Sequence, residues 1–419
     1  MIIEFNVENF KSIYSLAQLS LVASNDNSHL ENLTREENYE VLKTAVVYGA
    51  NGSGKTTLIT AIAFMQAMIL NSINHQVGDM INIPTHKLAK DKNSTFEIQY
   101  TYNSMRYAYG FVLNKQEILE EYLYYFPAGG RQNKIFERNG MDVVVGSNFV
   151  RALAVAKSIV KQNKLFLSCC ANYGDSKFPQ IQLIIDAFMF FKEGLLIYNP
   201  QAPSPWFGYS VQTLQNDPLV KDVFKKVING LGTDIVDLTA KFNKKKFSVD
   251  NLPKNMPEGI VNLITSLGET DVPEVLLNYE KFDLFLHEES NGVQKLFDIL
   301  CPIIDIIRKG KVLIYDEIET SLHESVVKEI INIFLKTDTK AQLIFSTHDT
   351  NLLDLSILRR DQVWFTELEK DYRSTQLYSL SEINSVRKDE NIAKGYMLGK
   401  YGAIPMLNQT LIETLKGGF

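Results

Sequence analysis

The sequence predicts an α/β fold, in which a core of strand–helix units is split by a long, mainly helical insertion. Three observations predict it. In TAVVYGANGSGKTTLITAIAFMQAMIL, residues 44–70, a β-rich apolar run passes into helical spacing across a cluster of glycines. From GVQKLFDILCPIIDIIRKG onward the order is helix, strand, helix, strand, and the strands Lys311–Tyr315 and Ala341–Phe345 are nearly continuous apolar runs of the buried, parallel kind. Between these two regions alternating strands give way to helical stripes. A chain of 419 residues has room for two or three lobes built this way.

The elements follow in order. Residues 1–22 alternate apolar and polar positions as strand, turn, strand, without a basic stretch leading into an apolar run, so they are no signal peptide. From Thr95 to about Glu137, FEIQYTY, MRYAYGFVL, EILEEYLYYF and KIFERN form a meander with turn residues between them. Residues 148–230 read as helical, with stripes such as RALAVAKSIV and LVKDVFKKVINGL, and 233–287 returns to strands around a loop rich in Pro and Asn. The expected division is residues 1–140, an insertion over 141–280, and residues 281–419.

Composition bounds the function. The chain is 45% hydrophobic and 22% charged, ordinary values for a globular protein, with a formal net charge of −6. That balance gives no support for nucleic-acid binding, although a local basic patch stays open. Cys169, Cys170 and Cys301 are too few and too oddly spaced for a disulfide framework or a zinc site, and read as reduced core residues of a cytoplasmic protein. The longest apolar stretches, LITAIAFMQAMIL and IQLIIDAFMFF, look too short to span a bilayer.

Four short segments carry chemistry. GANGSGKT, Gly49 to Thr56, has the spacing of a phosphate-binding loop between an apolar strand and a helix. Its glycines let backbone N–H groups converge on phosphates, and the positive end of the helix dipole adds to them. Lys55 would reach the outer phosphates and Thr56 would place its hydroxyl on Mg²⁺. In KVLIYDEIETSLHE a buried strand ends in Asp316, placed to hold Mg²⁺ through water, and Glu317, placed to polarise an attacking water. QLIFSTHDTNLL ends a second buried strand near His348, which faces a γ-phosphate or that water, or else bonds to neighbouring backbone. In LFLHEESNGVQKLFDIL a strand, Phe282–Leu286, runs into Ser290, Asn291 and Gly292 and then a helix. Ser290 is a helix cap, and the N–H groups behind it offer a second anion site. One chain has no use for two such sites on one nucleotide, whereas two facing chains complete each other's.

Taken together, GANGSGKTT, ESNGVQK, VLIYDEIETSLHE, FSTHDT and the opening FNVENFKSI resemble the ABC-type ATPases of the SMC/RecF branch, within the AAA family. The tail LLDLSILRRDQVWFTELEKDYRSTQLYSLSEI, with VRKDENIAKGYMLGKYGAIP, resembles stand-alone bacterial ATPases of abortive-infection operons, the RloA and AbiL type. The resemblance implies an ABC-type P-loop core, a mixed-sheet lobe plus a parallel α/β lobe, that takes ATP and Mg²⁺. It implies Gly49, Asn51, Gly52, Ser53, Gly54, Lys55, Thr56 and Thr57 for phosphates and metal. Asp316 would serve the metal, Glu317 would be the base and His348 the switch, with Ser290 and Gly292 acting on the partner's nucleotide. ETSLHE would pass between the two sites. The signature is not Leu-Ser-Gly-Gly, and Gln66 and Gln99 are the candidates for the glutamine that couples to Mg²⁺.

The function this implies is an ATPase that dimerises through composite sites, as a homodimer or higher even oligomer. It would act as sensor or scaffold in phage defence, with a separately encoded effector of nuclease type. A RecF-like DNA-repair ATPase and a scaffold that holds ATP without turnover are the rivals. Smaller features have blander readings. Lys244, Lys245 and Lys246 read as a solvated turn, Arg359 to Gln362 as a salt-linked surface, and EYLYYF as sheet packing.

Overall fold

The computed structural model describes residues 1–36, 39–198, 206–246, 269–320, 322–384, 386–387 and 390–404. Two compact units divide the chain: Met1–Asn199 with Lys309–Glu319 and Ile330–Phe419, and Pro200–Arg308 with Thr320–Glu329.

The first unit contains two large sheets. One has seven strands: β1 (Ile2–Glu8), β2 (Ala17–Ser20), β6 (Ser94–Tyr102), β7 (Met105–Leu113), β8 (Ile118–Phe126), β9 (Asn133–Asn139) and β10 (Asp142–Val145), in the order β10-β9-β8-β7-β6-β1-β2. All its pairings are antiparallel, as expected of a meander. Asn103 and Ser104, both with positive φ (47° and 62°), make the tight β6–β7 connection, where left-handed backbone matches the twist of a hairpin. A short pair, β3 (Leu33–Arg35) and β4 (Glu40–Leu42), precedes β5 (Thr44–Gly49).

The second sheet has β5 near its middle, in the order β11-β15-β16-β5-β17-β18, with β11 (Leu195–Tyr198), β15 (Val312–Tyr315), β16 (Gln342–Ser346), β17 (Val363–Leu368) and β18 (Thr375–Ser379). Every pairing but β17–β18 is parallel. β5 and β15 are buried along their whole length, as unbroken apolar strands require. One core serves both sheets, with Phe5, Val47, Ile62, Phe96, Phe111 and Ile314 among its members. Buried Gln342 ties the sheets together: its Oε1 accepts from Ile2 N (2.7 Å) and its Nε2 donates to Ile2 O (3.0 Å) and Leu42 O (2.9 Å).

The boundary expected at residue 141 lies instead near 200. The helices α2 (Ala154–Ile159), α3 (Phe166–Tyr173) and α4 (Ile181–Met189) and the strand β11 belong to the first unit. Glu121 on β8 explains the attachment. Its buried carboxylate accepts from Phe166 N (2.6 Å) and Leu167 N (2.9 Å), capping α3, and takes Tyr109 Oη (3.0 Å) and the wholly buried Arg138 (3.4 Å) as further partners. Helical periodicity also hid β11, four residues that follow a π-turn at Phe190–Gly194.

α1 (Lys55–Asn71) runs on into a 3₁₀ turn, so Lys55–Asn74 is 20 residues long, with mean hydropathy 1.5 over its most apolar 18 residues. That corrects the expectation of a stretch too short to span a bilayer: by length and composition this helix passes. Its apolar residues Leu58, Ile59, Ile62, Met65 and Ile69 pack into the core between the sheets. Arg359 corrects another expectation. It is fully buried, not at the surface, and its guanidinium donates to Asp361 and to the carbonyls of Ser24, Asp26 and Ser28. The three cysteines are free and buried, as expected.

The second unit packs α5 (Trp206–Asn216), α6 (Pro218–Gly230) and α7 (Asn291–Lys309) with the antiparallel sheet β12-β13-β14 (Asp237–Lys246, Glu269–Asn278, Asp283–Phe285). Val211, Phe224, Leu238, Leu277, Phe297 and Leu300 form its core. Asp217 caps α6, accepting from Val220 N at 3.1 Å, with Pro218 at the first helical position. Lys241 pairs with Glu274 (3.6 Å), the side chains of Lys245 and Lys246 lie outside the described residues, and so does the loop rich in Pro and Asn.

Candidate functional site

The carboxyl ends of three parallel strands bring the chemistry of the first unit together, which is where ligands meet open α/β sheets. The phosphate-type loop follows β5, Asp316 and Glu317 follow β15, and His348 follows β16. The loop depends on glycine at defined positions. A Cβ on Gly49 would overlap Thr366 and Ser53, and Gly54 combines a φ of 113° with side-chain atoms of Thr375 where a Cβ would stand. Gly52, at φ 79°, faces open space.

Hydroxyls from distant segments brace this loop. Ser53 Oγ and Thr366 Oγ1 are 2.6 Å apart, and Thr366 Oγ1 donates to Tyr48 O (3.2 Å). Thr375 Oγ1 donates to Ser53 O (2.9 Å). Ser12 Oγ donates to Thr57 Oγ1 (2.9 Å) and lies 2.8 Å from Thr375 Oγ1. Ser53 is therefore turned into the wall by its side chain, whereas Asn51 and Thr56 are exposed.

Lys55 is 6% exposed and folds back on its own loop, donating to Gly49 O (2.7 Å) and Ala50 O (3.3 Å), with His348 Nδ1 at 3.5 Å. Burial pushes its pKa down to about 8, against the pull of Asp316, Glu317 and Glu319. Partial burial and then the Lys55 charge push the His348 ring below the usual histidine range, so it is neutral at pH 7.

Ser346 organises the acidic pair. Its hydroxyl donates to Asp316 Oδ1 (2.5 Å) and accepts from Glu317 N (2.8 Å), while its carbonyl accepts from Ile318 N (3.2 Å). Glu317 is thereby held at φ 53°, a strained conformation for a non-glycine residue and one that recurs at functional sites. Asp316 is buried, and its N–H donates to Tyr198 O at the end of β11 (3.1 Å). Glu319 Oε1 accepts from His348 N (2.7 Å), and its buried Oε2 has no hydrogen-bond partner among the described residues.

Of the expected site residues, the structure thus joins Gly49 to Thr57, Asp316, Glu317 and His348. Ser290 and Gly292 stand in the second unit at the start of α7, where Ser290 Oγ accepts from Val293 N (3.4 Å) as an exposed cap. The strand before it is Asp283–Phe285, shorter than expected. Ser321 of ETSLHE lies outside the described residues. Of the candidate glutamines, Gln66 donates its Nε2 to Phe191 O (2.7 Å) and Leu195 O (2.8 Å), whereas Gln99 Oε1, the atom a metal would need, accepts from Arg106 (2.5 Å).

A family model described as "AAA domain, putative AbiEii toxin, Type IV TA system" matches residues 45–176 and 228–354, more than half of the chain. Several solved structures are similar at low identity. An SMC head bound to the C-winged helix domain of ScpA has 12% identity and a TM-score of 0.43, over 90% of this chain and 97% of that one. The SMC head domain from Thermotoga maritima has 11% identity and a TM-score of 0.41, over 90% and 98%. An Smc head with an extended coiled coil, bound to the C-terminal domain of ScpA derived from Pyrococcus furiosus, has 12% identity and a TM-score of 0.37, over 90% and 96%. No curated protein sequence matches the chain. The two spans of the family match enclose the loop after β5, the acidic pair after β15 and His348 after β16. The chain belongs to this family of AAA domains.

Proposed function

We propose that the chain is an ATP-hydrolysing subunit of ABC type that self-associates through composite nucleotide sites. In this reading it is the sensor and scaffold of a bacterial anti-phage, abortive-infection complex, controlling a separately encoded effector, a nuclease. The family description, which speaks of a toxin and a type IV TA system, supports a role in such a system. The observation that carries the ATPase reading is Lys55, buried with no carboxylate in bonding range among the described residues, over a glycine loop and beside Asp316 and Glu317.

These residues fit ATP with Mg²⁺. The glycine loop and the start of α1 offer N–H donors, Lys55 a cation, and Thr56 with Asp316 two oxygens for the metal. Bound Mg²⁺ supplies charge stabilisation at the phosphates. Glu317, oriented by Ser346, takes the proton of the attacking water, and neutral His348 accepts or donates a hydrogen bond beside it. Ser290 and the first N–H groups of α7 act on the nucleotide of a second copy. Engagement then depends on the γ-phosphate and hydrolysis releases it.

Light scattering of Glu317→Gln with and without ATP and Mg²⁺ tests the reading. An ATP-dependent rise in mass, abolished by adding Ser290→Arg, supports composite sites. A monomer under both conditions sinks them. Phosphate release by the unaltered chain separates an ATPase from a scaffold that only holds ATP.

A further inference from the structure

At the end of the parallel sheet opposite the phosphate loop, the first unit has an open cavity of about 290 Å³. Lys340 marks that end, because it stands just ahead of β16, whose far end carries Ser346. Arg106 on β7 has Thr101 of β6 and Phe126 of β8 as its cross-strand partners, and all three line the cavity. Cross-strand partners share a face of the sheet, so the register sets the guanidinium against a ring. Its carbon lies 4.5 Å from the Phe126 centroid and 5.3 Å from that of Tyr39, which also lines the cavity.

This guanidinium is held but not neutralised. Its Nη2 donates to Gln99 Oε1 (2.5 Å), which fixes the plane of the fork, and its Nε is buried with no hydrogen-bond partner among the described residues. No described carboxylate forms an ion pair with Arg106. Glu36, the acid on the described wall, is paired instead with Lys340 (2.9 Å). A half-buried cation between two rings keeps only part of its hydration, a cost that an entering anion would offset. Behind the wall the Met1 amine donates to Thr101 O (2.8 Å); burial lowers its pKa to about 5, so it is neutral at pH 7. Arg106 and Lys340 against Glu36 therefore leave the described wall with a single net positive charge.

We propose that this cavity binds one carboxylate group on an apolar stem, whether that group ends a polypeptide or belongs to a free organic acid. Its two oxygens sit on the Arg106 fork, and the stem lies against Phe126, Pro127 and Tyr39. A planar guanidinium pairs two N–H groups with two coplanar oxygens, which is the geometry of a carboxylate. One net positive charge suits a monoanion, whereas Glu36 opposes a phosphate dianion. The volume is at the small end for ligand pockets and suits a stem the size of one side chain. Binding there does not depend on nucleotide chemistry, since none of these residues belongs to the phosphate loop or the acidic pair.

Saturation-transfer NMR on the full chain tests this with N-acetyl-leucine and N-acetyl-leucinamide at up to about 10 mM. The acid is expected to receive saturation, and the amide, which lacks the charge, to bind about tenfold or more weakly. That comparison needs no change in the protein. Arg106→Gln should lower affinity for the acid about tenfold or more at an unchanged melting temperature. Competition by an octapeptide ending in leucine separates the two sources. Binding about tenfold tighter than that of acetyl-leucine marks a polypeptide end, and equal or weaker binding marks a free acid. No transfer to the acid, equal transfer to acid and amide, or unchanged acid binding by Arg106→Gln overturns the proposal. So does stronger competition by inorganic phosphate, which would assign the cations to a dianion.

Discussion

Raising the pH through 8 should weaken ATP binding, because Lys55 loses its proton there. Burial moves its pKa from 10.5 to about 8, and at 1.36 kcal/mol per tenfold this is about 3 kcal/mol of lost preference for the charged form, an upper figure before solvent screening. A bound phosphate restores that preference, so binding takes up a proton: about half a proton per site at pH 8 and about nine-tenths at pH 9. Apparent affinity then falls roughly tenfold between pH 7 and 9. Calorimetry of Glu317→Gln with ATP, in two buffers of different ionisation enthalpy, reads the uptake directly. Lys55→Arg, which stays charged, should bind more weakly and show no such pH dependence. Zero uptake at pH 8 and 9 with flat affinity would refute the electrostatic account of Lys55. Stability has the opposite sign. The folded state binds fewer protons than the unfolded one between about 8 and 10.5, so this lysine's destabilising effect fades as pH rises through that window.

Two further outcomes follow from single side chains. Ser346→Ala removes the hydroxyl that holds both Asp316 and the Glu317 backbone; turnover at saturating ATP should fall about tenfold or more, against a stability loss of only about 1–2 kcal/mol by urea titration. Glu121→Ala uncaps α3 and leaves Arg138 charged and buried, which should cost about 3–5 kcal/mol in the same titration, with ATP affinity of the folded fraction unchanged.

The site was legible where its chemistry is local. Gly49 to Thr56 announces itself because a strand, a glycine turn and a helix start must be contiguous, and Asp316–Glu317 because a buried strand ends in two acids. Ser12, Ser346, Thr366 and Thr375 were not legible. Each is an ordinary hydroxyl whose partner lies far off in sequence, Thr375 being bonded to Ser53 and Ser12. Gln99 looks suitable until its partner is seen, since the sequence does not say that Arg106 occupies its Oε1. The meander from β6 to β9 was readable because period-two alternation survives in one-sided sheets. β11 was not, because LLIY after a π-turn is too short to separate from the helices around it. α3 is held in the first unit by buried Phe166, Leu167 and Cys170 and by the Glu121 carboxylate, partners far off in sequence, so the boundary lies near 200.

The position of β5 in its sheet has a consequence for how the protein is made. It is translated about 290 residues ahead of the nearer of its two neighbours, Gln342–Ser346 and Val363–Leu368. At about 5–20 residues per second, the ribosome takes roughly 15–60 s to deliver them. During that interval a strand meant for full burial has both edges unpaired, the condition under which nascent chains stick to one another. The brace from Thr366 and Thr375 comes later still, so ATP has no finished cradle to stabilise until those residues are made. Protection of β5 on the ribosome is therefore the expected limit on production, and slower growth or added chaperone should raise soluble yield more than added nucleotide.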